Sequence, residues 1–431
     1  MALNSKKTVK QVFESDVSSC DLNQIEAATI SVNGDVKGSF EGLNLYSHFQ
    51  PIFSLAHKRP VGYEALLRAK DLSGSHVSPL EIFGRVRSET DIMFLDRLCR
   101  NLHLRNFLPM ADDTSWLFLN INPEVTVKGK QYGAFFAEFL ERYRMPGSRI
   151  VVEILEGAIH DEVMLTEAVD YYKELGCLVA IDDFGAGHSN FDRIWRLSPQ
   201  IVKLDRSMIV QAAANKNVRR VLPNLVNLIH ESGSLSLMEG IETEQEAMIA
   251  MDSGIDFVQG YYFGRPEKLI PAGNQLSDLL PGLCDKFKEF SEDESKRYHD
   301  KLKHYVSEFR QSARFIQESI GMECACKDFF ARPKIKRCFL LNQDGGQIGP
   351  SLISPLHSGS SDPRFAPLLE ASDANWSRRH YFRRAISNPG EVQISRPYLS
   401  IADAHMCVTL SVAVNTRQGA QVFCCDMDWN E

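Results

Sequence analysis

Asp182 and Asp183 stand side by side at the end of the apolar run Val179-Ala180-Ile181, and Phe184-Gly185-Ala186-Gly187-His188-Ser189-Asn190 follows them. Two neighbouring carboxylates repel, and a core strand gains nothing by ending in them unless a cation or a buried donor compensates, so the pair points to a metal site. A strand ending in a solvated acidic turn carries the same letters. Other apolar runs of strand length break that tie, because they end in Glu64, Asn120, Glu153, Lys203 with Asp205, Glu239 with Glu242, and Gln259. Taken singly, each has a plain structural role: Glu64 pairing Arg68, Lys203 reaching along a rim, Asp205 capping a helix. Taken together, anions gathered around one mouth repel by on the order of several kcal/mol unless neutralised. Divalent cations are the economical answer. The donors are all oxygen, with no Cys or His among them, which selects Mg²⁺ or Mn²⁺ over a thiolate-rich zinc site. Such ions bind phosphate oxygens and, in pairs, activate water for in-line attack.

The elements that must position these groups follow from apolar periodicity. Strand-length runs occur at His48–Leu55, Val61–Leu67, Trp116–Ile121, Ile150–Leu155, Leu178–Ile181, Ile201–Leu204, Leu235–Met238 and Phe257–Tyr262. Helical spacing lies between most of them, as in Phe135-Phe136-Phe139-Leu140 and Val221-Leu225-Leu228-Ile229. Only Ala56-His57-Lys58-Arg59-Pro60 parts the first two runs, which predicts an antiparallel hairpin there. The pattern predicts an α/β fold, a modified (β/α)8 barrel with an antiparallel first strand, whose functional groups lie at the carboxyl ends of several strands. An open doubly wound sheet competes, but its Gly-x-Gly-x-x-Gly is missing after every strand.

In order and spacing, Tyr63-Glu64-Ala65-Leu66-Leu67-Arg68, Leu119-Asn120-Ile121-Asn122-Pro123, Glu153-Ile154-Leu155-Glu156, Asp182-Asp183-Phe184-Gly185, Val202-Lys203-Leu204-Asp205, Glu239-Gly240-Ile241-Glu242-Thr243 and Gln259-Gly260-Tyr261 resemble the EAL-domain phosphodiesterases. Those enzymes cleave the bacterial messenger cyclic di-GMP to linear pGpG on a modified TIM barrel. The resemblance implies that Glu64, Asn120, Glu153 and Asp182 hold a first Mg²⁺ or Mn²⁺ ion, and that Asp182 bridges to a second completed by Asp183 and Glu239. It gives Lys203 the task of holding the attacking water, and makes Glu239 either general base or ligand. Glu242 and Gln259 orient ligands and water, Arg68 and Gln50 meet the substrate, and Glu156 anchors the loop after Asp183. Two departures are mild: His188-Ser189-Asn190 in that loop, and Met238 before Glu239. A receptor that binds cyclic di-GMP without turnover and signals through its C-terminal domain is the alternative; the intact ligand set and Glu156 disfavour it.

The flanks are plainer. Residues 1–44 are expected to be a polar N-terminal extension, 45–270 the barrel, 271–333 a helical connector and 334–431 a small α+β domain. Tyr298, Leu302, Tyr305, Phe309, Ile316 and Ile320 form one stripe on the connector helix, suited to a partner helix, a dimer contact or its own domain. Beyond Pro333, strand-like runs appear at Cys338–Leu341, Gly390–Ile394, Cys407–Val414 and Gln421–Cys425. Trp376-Ser377-Arg378-Arg379-His380-Tyr381-Phe382-Arg383-Arg384 with Arg396-Pro397-Tyr398-Leu399-Ser400 resembles a PAS/Cache-type sensor, and its arginines and aromatics suit an unknown small anion or amino acid. Cys324-Ala325-Cys326 and Cys338 read mainly as packed thiols. The chain has 431 residues, a net charge of −8 and no basic block, which argues against a duplex nucleic-acid binder. It has no signal-peptide core and no membrane span, so a cytoplasmic bacterial protein is expected. A homodimer is expected from the resemblance alone.

Overall fold

The structure, a computed structural model, describes residues 22–121, 125, 129–155, 161–187, 191–270, 279–358, 371–372, 374–400 and 405–429. It divides into two compact units, residues 1–291 and 292–431.

The first unit holds strands β1 (Thr29–Val32), β2 (Asp35–Phe40), β3 (Leu43–Ser54), β4 (Arg59–Lys70), β5 (His76–Val77), β6 (Trp116–Asn120), β7 (Ile150–Leu155), β8 (Leu178–Phe184), β9 (Ile201–Leu204), β10 (Leu235–Met238) and β11 (Phe257–Val258). Strands β3, β11, β10, β9, β8, β7, β6 and β4 form a ring, closed where β3 pairs with β4. Pairing is parallel from β4 round to β11, and β3 is antiparallel to both its neighbours. The predicted antiparallel first strand is therefore observed.

Closing a ring of eight strands leaves an interior that side chains must fill. Here Ile52, Phe118, Val151, Ala180, Ile201, Leu237 and Phe257 form a separate buried cluster, one residue from each ring strand except β4. Strand β4 contributes Gly62, where an added Cβ would lie 2.9 Å from the Phe118 ring; the glycine makes room for that ring. A larger outer core packs the opposite strand faces, among them Val179, Ile181, Val202 and Leu204, against surrounding helices. These include α1 (Leu22–Ala27), α2 (Pro79–Gly84), α3 (Glu89–Phe107), α4 (Gly129–Arg142), α5 (Glu162–Glu174), α6 (Phe191–Leu197), α7 (Arg206–Ala214), α8 (Lys216–Glu231) and α9 (Glu244–Asp252). Local chemistry starts several of them. Asp161 and Asp205 cap α5 and α7, and Thr243 with Glu246 forms a capping box on α9.

Strands β1 and β2, within the supposed N-terminal extension, extend the sheet beyond β3. Their polar composition hid them; Ile25, Val36 and Phe40 anchor this segment in the outer core.

In the second unit, β12 (Ile335–Asn342), β13 (Gln347–Ile353), β14 (Gln393–Ile394), β15 (Tyr398–Leu399), β16 (Met406–Thr416) and β17 (Gly419–Asp428) form a sheet ordered β13-β12-β17-β16-β14, with β15 also on β16. Alternation along β17 explains its two covered faces. Phe423, Cys425 and Met427 meet Leu302, Phe309 and Ile316 of α10 (Leu279–Gln317), whereas Val422 and Cys424 meet Tyr381, Phe382 and Ala385 of α12 (His380–Ser387). The helical stripe thus packs on its own unit. The helix runs from Leu279 to Gln317, within the expected 271–333 connector, and a short α11 (Met322–Cys326) follows it. Strand β13 escaped notice because Gly349 and Pro350 interrupt it; an edge position tolerates both. Cys326, Cys338 and Cys425 are buried among apolar residues and Cys324 is exposed, all as free thiols. Among the described residues no helix is long and apolar enough to cross a membrane.

The Phe309 and Phe423 rings stack with centroids 4.8 Å apart, and both residues are fully buried. Phe309→Ala should destabilise the second unit by about 3–5 kcal/mol. Hydrogen exchange should then accelerate in β16 and β17 while β6 to β10 keep their protection; unchanged exchange in β16 and β17 would contradict this packing.

Candidate metal centre at the barrel mouth

Residues two apart on a strand share a face. Phe118, Val151, Ala180, Ile201, Leu237 and Phe257 fill the barrel floor, and two positions further toward the carboxyl end of each strand stand Asn120, Glu153, Asp182, Lys203, Glu239 and Gln259. Gly62 leads in the same way to Glu64, and on the antiparallel β3 Ile52 leads back to Gln50. One polar layer therefore lies directly above one apolar layer.

Its contacts are short. The Lys203 ammonium lies 2.6 Å from Glu153 Oε1, 3.0 Å from Asp182 Oδ1 and 2.6 Å from Glu239 Oε1. Asn120 Nδ2 donates to Glu64 Oε1 at 2.8 Å, and Gln259 Nε2 donates to Glu64 Oε2 at 2.6 Å and to Gln50 Oε1 at 3.1 Å. Gln50 Nε2 is tied to the Gly264 carbonyl. Glu64 is thus oriented by two amides; no ion pair with Arg68 forms.

Asp182 and Asp183 would face opposite ways on a regular strand. The β8–β9 register shifts between Ile181 and Phe184, and Asp183 takes φ of 59°. This irregularity turns both carboxylates to one side, where oxygens of Asp182, Asp183 and Glu239 lie within 4.8 Å of one another. Asp tolerates this left-handed region better than most residues, and the Asp183 N–H donates to Asp182 Oδ1 at 3.0 Å. Gly260 is required by contact: a Cβ there would lie 2.1 Å from the Ile241 carbonyl oxygen.

Charge is the dominant property. Glu64, Glu153, Asp182, Asp183 and Glu239 surround a single ammonium that is 1% exposed. Burial opposes the charge on Lys203, yet Asp182, Glu153, Glu239 and Glu64 outweigh it and hold its pKa well above the ordinary value. Burial pushes Glu153 well above the usual carboxylate range; Lys203 opposes the shift, while Glu64 and Asp182 add to it. Glu239 is pushed up to about 8, chiefly by burial, and Asp183 is raised by burial and then by Asp182 and Asp205. Glu153 Oε2 and Gln259 Oε1 are buried without a hydrogen-bond partner. Both are acceptors. Excess negative charge together with orphaned buried oxygens fits hard divalent cations.

Not every expected residue joins this cluster. Glu242 pairs with Arg206 at 2.8 Å, and its N–H is taken by Glu246 in the α9 cap. Asp205 caps α7, and Met238 is fully buried core. Arg68 donates to the Leu67 carbonyl from a partly exposed position on β4. Glu156 and His188 lie outside the described residues.

This constellation has a family. The EAL domain model matches residues 34–266. The chain belongs to the EAL-domain family. It is 24% identical over 347 residues to YkuI of Bacillus subtilis, described as an uncharacterized EAL-domain containing protein, across 78% of this chain and 82% of that one. It is 26% identical to the cyclic di-GMP phosphodiesterase RocR of Pseudomonas aeruginosa, across 56% of this chain and 62% of RocR. With the cyclic di-GMP phosphodiesterase PdeF of Escherichia coli it is 25% identical, across 54% of this chain but only 32% of PdeF. The crystal structure of B. subtilis YkuI, in complex with cyclic di-GMP and calcium, superposes with a TM-score of 0.76 at 21% identity, across 90% of this chain and 97% of that one. That likeness establishes the fold over more of the chain than the EAL domain alone.

The second unit has a cleft of about 440 Å³, and both Arg- and aromatic-rich segments reach it. Arg379, Arg384, Arg396, Tyr381 and Tyr398 line it, and the Arg379 guanidinium lies 5.6 Å from the Tyr398 ring centroid. Behind the cleft, Tyr398 Oη meets Thr409 Oγ1 at 2.6 Å, Thr409 donates to Asp426 Oδ1 at 2.7 Å, and Arg337 donates to Asp426 Oδ2. Asp426 was not anticipated. The available signal was an acid inside the apolar run of β17.

The raised carboxyl groups fix the sign of a pH effect. Their stabilising protonation is present at low pH and is lost as pH rises through the folded-state pKa. With chelator present, the barrel should therefore be less stable at about pH 9 than at about pH 6, as Glu239 titrates near 8. Mn²⁺ should remove that difference, and Asp183→Asn should raise the melting temperature in chelator while shrinking the rise given by Mn²⁺. Melting curves indifferent to Mn²⁺ would contradict the charge assignment.

Proposed function

We propose that this chain hydrolyses cyclic di-GMP to linear 5′-pGpG in a reaction that requires divalent metal ions, Mg²⁺ or Mn²⁺, in the bacterial cytoplasm. The observation that carries this reading is the single Lys203 ammonium against five carboxylates at the barrel mouth, with the Glu153 oxygen left unpartnered. It is supported by membership of the EAL-domain family and by relatives named cyclic di-GMP phosphodiesterases.

Glu64, Asn120, Glu153 and Asp182 would hold one ion, and Asp182, Asp183 and Glu239 the second. When bound, such ions supply Lewis acidity to a phosphoryl oxygen and to water. The chain's own residues do the rest. Gln259 and Asn120 keep Glu64 in one orientation, so the donor set is preformed. Lys203, buried among carboxylates, keeps a fixed positive charge beside the reacting phosphate, where charge grows as the pentacovalent state forms. Glu239, half-buried at the mouth, takes the proton of the attacking water. Water oxygen bonds to phosphorus, the bond from phosphorus to the ribose 3′-oxygen breaks, and that oxygen takes a proton from solvent to leave as a hydroxyl, while the proton held by Glu239 returns to solvent. Gln50 and Arg68 position the substrate, and Glu242 steadies the rim through Arg206. Glu156 is assigned as anchor of the loop after Asp183. The reading includes a homodimer, and regulation by a small anion bound in the Arg379–Tyr398 cleft of the PAS/Cache-like second unit.

Purified full-length chain should convert cyclic di-GMP to linear pGpG with Mg²⁺ or Mn²⁺ and stop on chelation. Glu153→Gln should lower kcat by about 100-fold or more while much of the substrate binding remains. Tight binding without any turnover under these conditions would overturn the hydrolase in favour of a receptor.

A further inference from the structure

Strands β3 and β4 are much longer than the other ring strands. Strand β4 meets β6 only from Gly62 to Ala65, yet it continues to Lys70 paired with β3 back to Asn44. The excess rises from the carboxyl end of the ring as a wall beside the metal centre. Its register pairs Gln50 with Glu64, His48 with Leu66, Tyr46 with Arg68 and Asn44 with Lys70. By alternation, the face that carries Gln50 and Glu64 also carries His48, Tyr46, Arg68 and Lys70. The other face, with Leu43, Leu45, Ser47 and Phe49, is buried.

This wall differs in sign from the centre below it. Arg68 bonds only the Leu67 carbonyl, and neither Arg68 nor Lys70 has a carboxylate partner among the described residues. Lys268 stands near His48 but is paired with Asp35 at 2.7 Å. The His48 ring is held by Pro266: a carbonyl only accepts, so Nδ1 carries the proton and the neutral ring presents Nε2 as an acceptor. The Tyr46 ring sits edge-on to His48, with centroids 5.5 Å apart, and Tyr46 Oη is fixed by His76 Nδ1 at 3.2 Å. From Glu64 to Lys70 the strand runs roughly 20 Å.

We infer that this wall is a second substrate subsite: Lys70, above Arg68, takes the phosphate that is not cleaved, and His48 Nε2 accepts from the N–H edge of a purine base packed against Tyr46. The inference rests on the cyclic dinucleotide reading above and adds Tyr46, His48 and Lys70 to it. The wall makes the enzyme demand a substrate with two phosphates and a base that donates.

The test uses the full-length chain with Mn²⁺ and two substrates, cyclic di-GMP and bis(4-nitrophenyl) phosphate, which has one phosphodiester and no base. Lys70→Gln and His48→Phe should each raise KM for cyclic di-GMP about tenfold, the loss of one hydrogen bond of this kind. They should leave kcat within about twofold and turnover of the small diester unchanged. Unchanged KM in both variants, or an equal fall for both substrates, would overturn the subsite. Titration of cyclic di-GMP into the unmodified chain with Ca²⁺ separates the two readings. No binding there defeats the functional reading and the subsite with it, whereas normal binding that the variants leave unaltered defeats the subsite alone.

Discussion

The Lys203 ammonium faces three carboxylates at 2.6–3.0 Å in the middle of a closed barrel, and two more carboxylates stand nearby. Among the described residues, one ammonium faces these five carboxylates, and that charge is not balanced. Burying one cation costs less when anions surround it, but each further carboxylate adds repulsion and a desolvation penalty. A site that gathers five acids around one lysine suits added divalent cations. The rest of the barrel serves this arrangement. The apolar floor keeps water from below, and the period of two along every strand lifts a polar layer onto it. The β8 irregularity aims adjacent aspartates the same way.

Sign is segregated along the mouth. The acidic centre suits cations and, through them, phosphoryl oxygens, whereas the strand wall above it carries cations of its own. A cyclic dinucleotide presents both requirements, a phosphate to be attacked and another to be held. The second unit repeats the theme on a smaller scale. A cleft lined by Arg379, Arg384 and Arg396 sits over a Tyr398–Thr409–Asp426–Arg337 chain that fixes one wall. Such a chain ties cleft geometry to strands β12, β15, β16 and β17.

Much of the barrel was legible in the sequence because most ring strands are short apolar runs that carry a polar residue at or near the carboxyl end of the ring. Glu64, Asn120, Glu153, Asp182, Lys203, Glu239 and Gln259 could be picked out by that rule alone, and the structure brings them into one layer. What stayed hidden depends on geometry across strands. Nothing in the letters Asp182-Asp183 announces a positive φ, and the extent of β3 and β4 beyond the ring shows only in their pairing. Strands β1, β2 and β13 were missed because polar, glycine and proline residues weaken the apolar pattern in them. The helical stripe was visible, but which surface it covers was a matter of tertiary packing, settled by Phe309 against Phe423.

The most direct test of the charge argument is an anomalous difference map from crystals of the full-length chain grown with Mn²⁺, with data recorded on both sides of the manganese absorption edge. The account expects manganese peaks bonded to the oxygens of Glu64, Glu153, Asp182 and Asp183 at roughly 2.0–2.3 Å. A map with no peak there, and Lys203 as the sole cation among those carboxylates, would contradict it.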